Sequence, residues 1–313
     1  MPKTFLAFGE VLWDLLPTGA ILGGAPFNFA YRANCLGENA IMSSRLGRDE
    51  LGRQAMDRIQ ALGMDTSHIQ WDDIRPTGTV KVSFDNDNNP DYIIVPNVAY
   101  DYADFLDRLG AIAASADCFC FGTLAQRKSK SRRTLVRIIE AARKATKLLD
   151  INLRRDCFSL QTITASLEAA DILKLNETEA VELAKMLQLS NSSIDTIAEN
   201  VIDKFHLDCC VVTLAERGVF ATLSDGTKVY SPGYSIKLAD PLGAGDAFTA
   251  GFLHKFLAGE PAAECCRYGN AIGAMVASQS GATAPLNVED IADFITAEPE
   301  RIREPAMAKF AVE

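Results

Sequence analysis

Short apolar runs alternate with amphipathic runs along most of this 313-residue chain. The apolar runs predict buried strands at 5–9, 40–44, 117–121, 147–151, 171–175 and 209–214. The pattern between them predicts helices that include 50–62, 103–115, 131–145 and 177–188. Strands that are apolar throughout and separated by helices are typical of a parallel sheet covered on both faces.

Two regions break this alternation. Residues 78–85 and 91–96 flank the polar stretch NDNN and predict an antiparallel hairpin, while 11–17 is a further extended run. Because these strands lie outside the alternating core, we expect them to form a small lid over one end of the sheet. No repeat or long linker interrupts the chain, so we expect a single domain over 1–313 with lid strands at about 11–22 and 78–97.

Charge and cysteine usage narrow the class of protein. The net charge is −10, and a basic face of the kind that binds nucleic acid is missing from the sequence. The N-terminus lacks the apolar core of a signal peptide, and no apolar run reaches the roughly 18 residues of a membrane span. The eight cysteines form no CxxC pair, which argues against zinc. We expect a cytoplasmic protein with neither nucleic acid nor membrane as a partner.

The stretch DPLGAGDAF, residues 240–248, precedes an apolar helical pattern. Gly243 and Gly245 flank Ala244 and allow the backbone to turn its N–H groups toward one point, where the helix N-terminus adds partial positive charge. These features predict an anion site with Asp246 at its edge. The alternative is that Asp246 only caps the helix, and the stretch alone does not decide between the two.

A second glycine pair precedes another predicted helix. Gly23 and Gly24 stand before Pro26, and Asn28 follows in the first turn. The backbone at Gly24 could approach a ligand closely, and the Asn28 amide could hydrogen-bond a hydroxyl. The competing interpretation is a tight turn at an ordinary helix start.

Two further polar groups follow predicted strands. Asn176 and Glu179 in NETE could hold a hydrated Mg²⁺ through water, or they could only cap a helix. In DINLR, alternation would put Asp150, Asn152 and Arg154 on one side of an extended segment. Arg154 could then bind a phosphate, or it could form a structural salt bridge.

Other chemistries have little support in the sequence. There is no GxxxxGK[ST] motif, and GAGDAF lacks the third glycine of a dinucleotide-binding GxGxxG. Only three histidines occur, none beside a matching serine or cysteine motif, so hydrolysis by a triad is not indicated.

Taken together, these motifs resemble the ribokinase-like (PfkB) carbohydrate kinases over nearly the whole chain. GGAPFNFAYRANCLG (23–37) is similar to the family's N-terminal signature, DPLGAGDAFTAGF (240–252) to its C-terminal signature, and NETE to its N-x-x-E element. FGEVLWDLLP, VAYD, FGTLAQR and DINLR look most like bacterial fructokinases. The resemblance implies a three-layer α/β/α fold with a mostly parallel central sheet and a small β-strand lid.

The resemblance also implies roles for individual residues. Asp246 would be the base that takes a proton from a sugar hydroxyl, and the amides of Leu242 to Gly245 would receive the phosphoryl group of ATP with help from Arg154. Asn176 and Glu179 would help to hold Mg²⁺ through water. The sugar would be bound by Asp14, Gly23, Gly24, Asn28, Arg154 and Asp246.

On the nucleotide side, the family places ATP over the loop TLAERG (213–218). Thr213, Ala215 and Gly218 are therefore candidate contacts, as is Asn270 in the adenine pocket. Many relatives have glycine where Ala215 stands, and its methyl group would crowd the phosphates unless φ there is negative. The family often binds a monovalent cation near Asp240, but Pro241–Leu242 replaces the usual threonines, so potassium activation is left open.

The resemblance thus implies a kinase that uses ATP and Mg²⁺, with D-fructose as the first candidate substrate. The alternatives are 2-keto-3-deoxygluconate, for which Arg127 or Arg154 would bind the carboxylate, ribose, another sugar or a nucleoside. A catalytically silent sugar-binding protein is the remaining hypothesis. We also expect a homodimer formed through the lid strands, which light scattering would test.

Overall fold

The computed structural model describes residues 1–16, 19–84, 90–190 and 193–311. Numbered in chain order, its strands are β1 (Thr4–Phe8), β2 (Leu12–Leu16), β3 (Gly19–Gly23), β4 (Asn39–Gly47), β5 (Ile69–Asp72), β6 (Gly78–Phe84), β7 (Pro90–Ile94), β8 (Cys118–Phe121), β9 (Thr146–Asp150), β10 (Ile172–Asn176), β11 (Cys209–Thr213), β12 (Val219–Leu223), β13 (Lys228–Ser231), β14 (Gly233–Tyr234) and β15 (Arg301–Ile302).

The α-helices are α1 (Ala25–Cys35), α2 (Glu50–Ala61), α3 (Asp107–Ser115), α4 (Ser129–Ala141), α5 (Leu160–Ala169), α6 (Glu177–Met186), α7 (Ile194–Phe205), α8 (Ala244–Leu257), α9 (Ala262–Ala277) and α10 (Val288–Thr296). Short 3₁₀ turns cover Ala99–Tyr102, Leu124–Gln126, Ala215–Arg217 and Pro305–Phe310. No helix within these described ranges is long and apolar enough to cross a membrane.

The central sheet runs in the order β13-β12-β11-β10-β9-β8-β1-β4-β5. Its strands pair in parallel from β11 to β5, and β12 and β13 add an antiparallel edge. Alternate residues of β1 point to opposite faces: Leu6 and Phe8 belong to one buried cluster, Phe5 and Ala7 to another. Both faces are therefore covered by helices, and the predicted three-layer α/β/α fold with a mostly parallel sheet is confirmed.

The predicted lid is a separate four-stranded sheet in the order β3-β2-β6-β7. β2 pairs antiparallel with β3 and parallel with β6, and β6 pairs antiparallel with β7. The NDNN turn of the hairpin lies outside the described residues. Strand β2 follows the C-terminal end of β1, and β3 leads into the N-terminus of α1. This small sheet therefore lies next to the edge at which the parallel strands end.

Two predicted helices begin or end elsewhere. The apolar pattern at 103–115 begins its α-helix only at Asp107, because the residue before it, Leu106, has extended backbone. The helix predicted at 131–145 runs instead from Ser129 to Ala141, since the next strand, β9, already begins at Thr146. Residues 142–145 therefore form the connection between α4 and β9 rather than a last helical turn.

Candidate active site

Polar side chains gather at the carboxyl edge of the parallel strands. Glu10 follows β1, Asp150 ends β9, and Asn176 ends β10 in register with Thr213 at the end of β11. The N-terminus of α8 is directed at this edge, because Lys174 of β10 lies 3.3 Å from the position of a Cβ on Gly245. In parallel sheets this edge is where ligands bind.

Asp246 occupies the first turn of α8 at the centre of this edge. Its Oδ2 accepts a hydrogen bond of 2.8 Å from Nδ2 of Asn28 on α1. Burial, together with the nearby Asp150 carboxylate, raises the pKa of Asp246 from 3.8 to about 6, against the opposing effect of Lys174. A carboxylate whose pKa lies near neutrality is a suitable proton acceptor.

A buried ion pair lies beneath Asp246. Lys174 Nζ is 3.0 Å from both carboxylate oxygens of Asp150, and the two residues are 6% and 5% exposed. Thr249 of α8 donates to Asp150 at 3.3 Å and to the Gly245 carbonyl at 2.9 Å, so the pair is tied to the helix that carries Asp246. Sequence reasoning missed Lys174, although a single lysine inside the apolar run DILKL was the signal for it.

The glycine loop leaves part of its backbone free for an anion. Gly243 has φ 77° and precedes the first residue of α8, and an added Cβ there would overlap the Cβ of Ala282. The amides of Gly243 and Gly245 have no backbone acceptor within the described residues. Those of Leu242 and Ala244 do: they donate to Asp240 Oδ1 at 3.0 Å and to the Pro241 carbonyl at 3.2 Å. Of the four amides predicted to receive a phosphoryl group, those of Gly243 and Gly245 are therefore without a backbone acceptor in the described chain, and the role of all four stays a prediction.

Gly23 and Gly24 serve the architecture around two acidic residues. A Cβ on Gly24, which has φ 117°, would lie 2.5 Å from the Glu10 carbonyl oxygen. The space beside the Gly24 Cα is thus filled by the chain itself, and a ligand contact with the Gly24 backbone stays a prediction. A Cβ on Gly23 would lie 3.2 Å from Asp14 Oδ2, so Gly23 leaves room for that carboxylate.

Three carboxyl groups converge here, and all are influenced by one arginine. Burial raises the pKa of Glu10 to about 7 and that of Asp14 to about 6, while Arg154 lowers both, as it lowers that of Asp246. Arg154 lines the same cleft as Glu10. Glu10 was missed in the sequence, where it reads as a loop residue after β1, although it is 6% exposed.

Two buried amide atoms at this edge have no partner. Oδ1 of Asn28 and Nδ2 of Asn152 lack a hydrogen-bond partner in the described parts of the chain. Asn152 has φ 40°, so the alternation predicted for residues 150–154 breaks after Asp150, yet Asp150, Asn152 and Arg154 still line one cleft. Unpaired buried polar atoms are costly, and a polyhydroxy ligand would satisfy one acceptor and one donor here.

Asn176 and Glu179 form a reciprocal helix cap. Asn176 Oδ1 accepts from the Glu179 amide at 2.9 Å, and Glu179 Oε2 accepts from the Asn176 amide at 2.8 Å. Glu179 Oε1 also accepts from the Leu153 amide at 3.0 Å, next to Arg154. Burial raises the pKa of Glu179. The capping interpretation is therefore observed, and each Glu179 oxygen keeps a further lone pair for a water molecule.

The candidate nucleotide loop follows β11. Ala215 is exposed and has φ 53°. A negative φ was the condition under which its methyl group would not crowd the phosphates, and this condition is not met. Gly218, with φ 99°, passes so close to the backbone of residues 231–233 that a side chain would not fit. Asn270 Nδ2 donates to the carbonyls of Ser231 and Pro232 at 3.0 and 3.2 Å, so this nitrogen is engaged in the fold.

A scan against family models matches residues 18–289 to the pfkB family carbohydrate kinases. This chain belongs to that family. It is 29% identical to a fructokinase of Salmonella typhimurium over 78% of this chain and 81% of that protein. It is 27% identical to 2-dehydro-3-deoxygalactonokinase of Haloferax volcanii over 93% and 96%.

Two solved structures share the fold. The ATP-bound fructokinase of Xylella fastidiosa superposes with a TM-score of 0.84 at 21% identity, covering 95% of this chain and 99% of that one. A fructokinase of Vibrio cholerae in a fructose, ADP and potassium ion bound form gives 0.79 at 23%, covering 94% and 98%. The pfkB carbohydrate kinase fold and its two glycine signatures therefore account for the place of Asp246, Asn28 and the glycine loop at one edge of the sheet.

Proposed function

We propose that this protein is an ATP-dependent sugar kinase that converts D-fructose to D-fructose 6-phosphate. Family membership supports sugar phosphorylation; one of the two related fructokinase structures holds ATP, and the other holds fructose with ADP. The observation that carries the proposal is the position of Asp246: a carboxylate with a pKa of about 6 stands beside the free amides of Gly243 and Gly245.

The reaction needs a proton acceptor and an anion site side by side. The sugar hydroxyl oxygen forms a bond to the γ-phosphorus while the bond from that phosphorus to the β–γ bridging oxygen breaks, and ADP leaves. The hydroxyl proton passes to the Asp246 carboxylate. The Gly243 and Gly245 amides stabilise the negative charge of the transferring group, and Arg154 lies close enough to act on Asp246 electrostatically.

Asn176 and Glu179 are the residues that we propose for Mg²⁺. Within the described residues no three His, Cys, Asp or Glu side chains form a metal cluster. A direct protein cage is therefore not offered, whereas magnesium commonly keeps several waters and binds through few protein groups. When bound, the ion would neutralise phosphate charge, and Glu179 would orient one of its waters.

The charge of the sugar side favours a neutral substrate over a sugar acid. Glu10, Asp14 and Asp246 provide three acidic groups around Arg154. The second arginine considered for a sugar carboxylate, Arg127, is already engaged: it bonds both oxygens of Asp101, at 2.6 and 2.9 Å, and donates to the Val95 carbonyl at 2.8 Å. Carboxylates accept hydrogen bonds from hydroxyls and repel an anionic ligand, so fructose fits better than 2-keto-3-deoxygluconate.

The test is a coupled assay of ADP release with fructose, ribose, 2-keto-3-deoxygluconate and a nucleoside. We expect the highest kcat/KM for fructose, and an Asp14→Asn variant should lower it by about tenfold to a hundredfold, the value of a hydrogen bond to a charged group. Asp57→Asn, on an exposed position of α2, is the matched control and should leave it unchanged. Turnover on the sugar acid with none on fructose would overturn the substrate assignment.

We also expect the protein to act in the cytoplasm. All eight cysteines are free thiols, and seven of them are buried. Persistent free thiols are typical of a reducing compartment.

A further inference from the structure

The side chains of Asp240, Pro241 and Leu242 offer a monovalent cation no oxygen that is without a hydrogen-bond partner. Both carboxylate oxygens of Asp240 accept backbone amides at 3.0 Å, Oδ1 from Leu242 and Oδ2 from Gly281. Pro241 and Leu242 carry no hydroxyl groups. These side chains therefore do not fit the cation that the fold family implies, although a related fructokinase was solved with a potassium ion. Backbone carbonyls are the remaining oxygens, and those of Pro241, Ala277 and Ala282 already accept hydrogen bonds, the last from Arg32.

A protein cation lies beside this loop. Arg32 follows Asn28 by four residues on α1, and its Nη2 donates to the Ala282 carbonyl at 2.6 Å. Its side chain is 1% exposed. Ala282 in turn packs against Gly243, the residue that precedes α8 and contributes an amide to the candidate anion site. One buried guanidinium thus reaches the phosphate loop through a single intervening residue.

The described surroundings of Arg32 supply no carboxylate, only the end of α1 and the ring of Tyr31, whose centre lies 5.0 Å from the guanidinium carbon. The ionisable groups that face it are Tyr31 and Cys35 of its own helix, and in the described part of the chain no carboxylate forms an ion pair with it. Its Nε and Nη1 are buried without a hydrogen-bond partner in those same residues. A buried guanidinium without a carboxylate partner is costly to keep and repels a second cation nearby. Such a group is retained at this position only at a cost to stability, which points to a functional use.

We propose that Arg32 takes the place of the monovalent cation, holding the Ala282 carbonyl and the phosphate loop in position so that phosphoryl transfer does not depend on potassium. The inference rests on the proposed kinase function. Arg32 is a positioning residue here, because it acts on the glycine loop through Ala282 and contacts no reacting atom.

The first test uses the unmodified protein freed of K⁺, Na⁺ and NH₄⁺. Rates with MgATP and the accepted sugar are compared in KCl and in tetramethylammonium chloride at equal ionic strength, about 100 mM, so that general screening is the same. We expect rates that agree within about twofold, far below the tenfold that 1.4 kcal/mol represents. Activation of tenfold or more by KCl would overturn the proposal.

The second test asks whether the dependence on potassium can be created. Arg32→Met should slow the reaction in tetramethylammonium chloride by about tenfold, less than the loss of a direct anion-hole donor, and KCl should restore part of the rate. Arg32→Lys keeps the charge and should remain insensitive to KCl. Arg143→Met, on an exposed arginine, is the control. If Arg32→Met is equally slow in both salts, the arginine has only a structural role.

A readout without turnover separates this inference from the substrate assignment. The unfolding midpoint of each variant is measured with MgADP in the two salts. A potassium-specific rise is expected for Arg32→Met alone. If the protein phosphorylates a sugar other than fructose, or none that is tested, this comparison still decides whether Arg32 stands in for the cation. A potassium-specific rise in the unmodified protein would contradict the proposal.

Discussion

Removing the cation from the buried pair beneath Asp246 should damage both stability and catalysis. In Lys174→Met, the Asp150 carboxylate stays buried without the ammonium that lies 3.0 Å from both of its oxygens. At an effective dielectric constant of about 20, unit charges about 4 Å apart attract by roughly 4 kcal/mol. Breaking a buried pair from one side typically costs about 3–5 kcal/mol, so we expect a loss of that size in the free energy of unfolding.

The same change should shift the pH dependence of the reaction. The rate should rise as pH increases through about 6, because only the ionised Asp246 accepts a proton. Lys174 lowers the pKa of Asp246 by its positive charge, so its removal should move this rise to higher pH. The pKa values of Asp14 and Glu10 respond to Arg154 rather than to Lys174, which makes the shift specific to Asp246.

Urea unfolding and kcat/KM between pH 5 and 9 measure the two effects. Lys185→Met, on an exposed lysine of α6, should change neither by much, since surface substitutions usually stay within about 0.5 kcal/mol. The double variant Lys174→Met/Asp150→Leu removes both charges and should regain much of the stability. A free energy of unfolding for Lys174→Met within about 1 kcal/mol of that of the unmodified protein, together with an unchanged pH profile, would contradict this prediction.

Two further substitutions test single residues. Asp246→Asn should lower the rate by about 10²–10⁴. Because folding raises the pKa of Asp246, ionisation of this residue begins to oppose folding above pH 3.8 and does so fully above about pH 6. The free energy of unfolding at pH 8 should therefore be about 1–3 kcal/mol larger in the variant than in the unmodified protein, and the two should not differ in this way below pH 4. Unchanged turnover would show that Asp246 is not the base. Ala215→Gly should relieve the left-handed φ of 53°, raise stability by up to about 1 kcal/mol and lower the KM for ATP. The control Ala111→Gly, inside α3, should lower stability. A change of the unfolding temperature in the same direction for both variants would contradict the strain argument.

The sheet and the glycine loop follow from local sequence, and the charges beneath them do not. Apolar runs and the spacing of Gly243, Gly245 and Asp246 are continuous in the chain, so periodicity and turn chemistry identify them. Lys174 and Asp150 stand on separate strands and meet only through the parallel register of β9 and β10. A single charged residue in an apolar run carries no information about its partner, which is why this pair was missed.

Backbone conformation was the second feature that could not be predicted from the sequence. Residue type alone could not give the positive φ of Asn152 or Ala215, since both residues usually adopt negative values. The break at Asn152 ended the predicted alternation after Asp150, and the left-handed Ala215 places its methyl group where glycine would leave space. Likewise, Arg32 falls on an ordinary helical position, and its burial arises because α1 packs against α8.

The three positive side chains around the start of α8 differ in burial and in the groups that they influence. Lys174 lies beneath Gly245 and offsets Asp150, so that the charge felt by Asp246 from below is small. Arg154 stands exposed on the substrate side and acts on Glu10, Asp14 and Asp246 together. Within the described residues Arg32 has no carboxylate partner, and its one hydrogen bond is to the Ala282 carbonyl beside the glycine loop. Lys174 and Arg154 thus act directly on carboxylates at this edge, whereas Arg32 acts on the glycine loop through the Ala282 carbonyl.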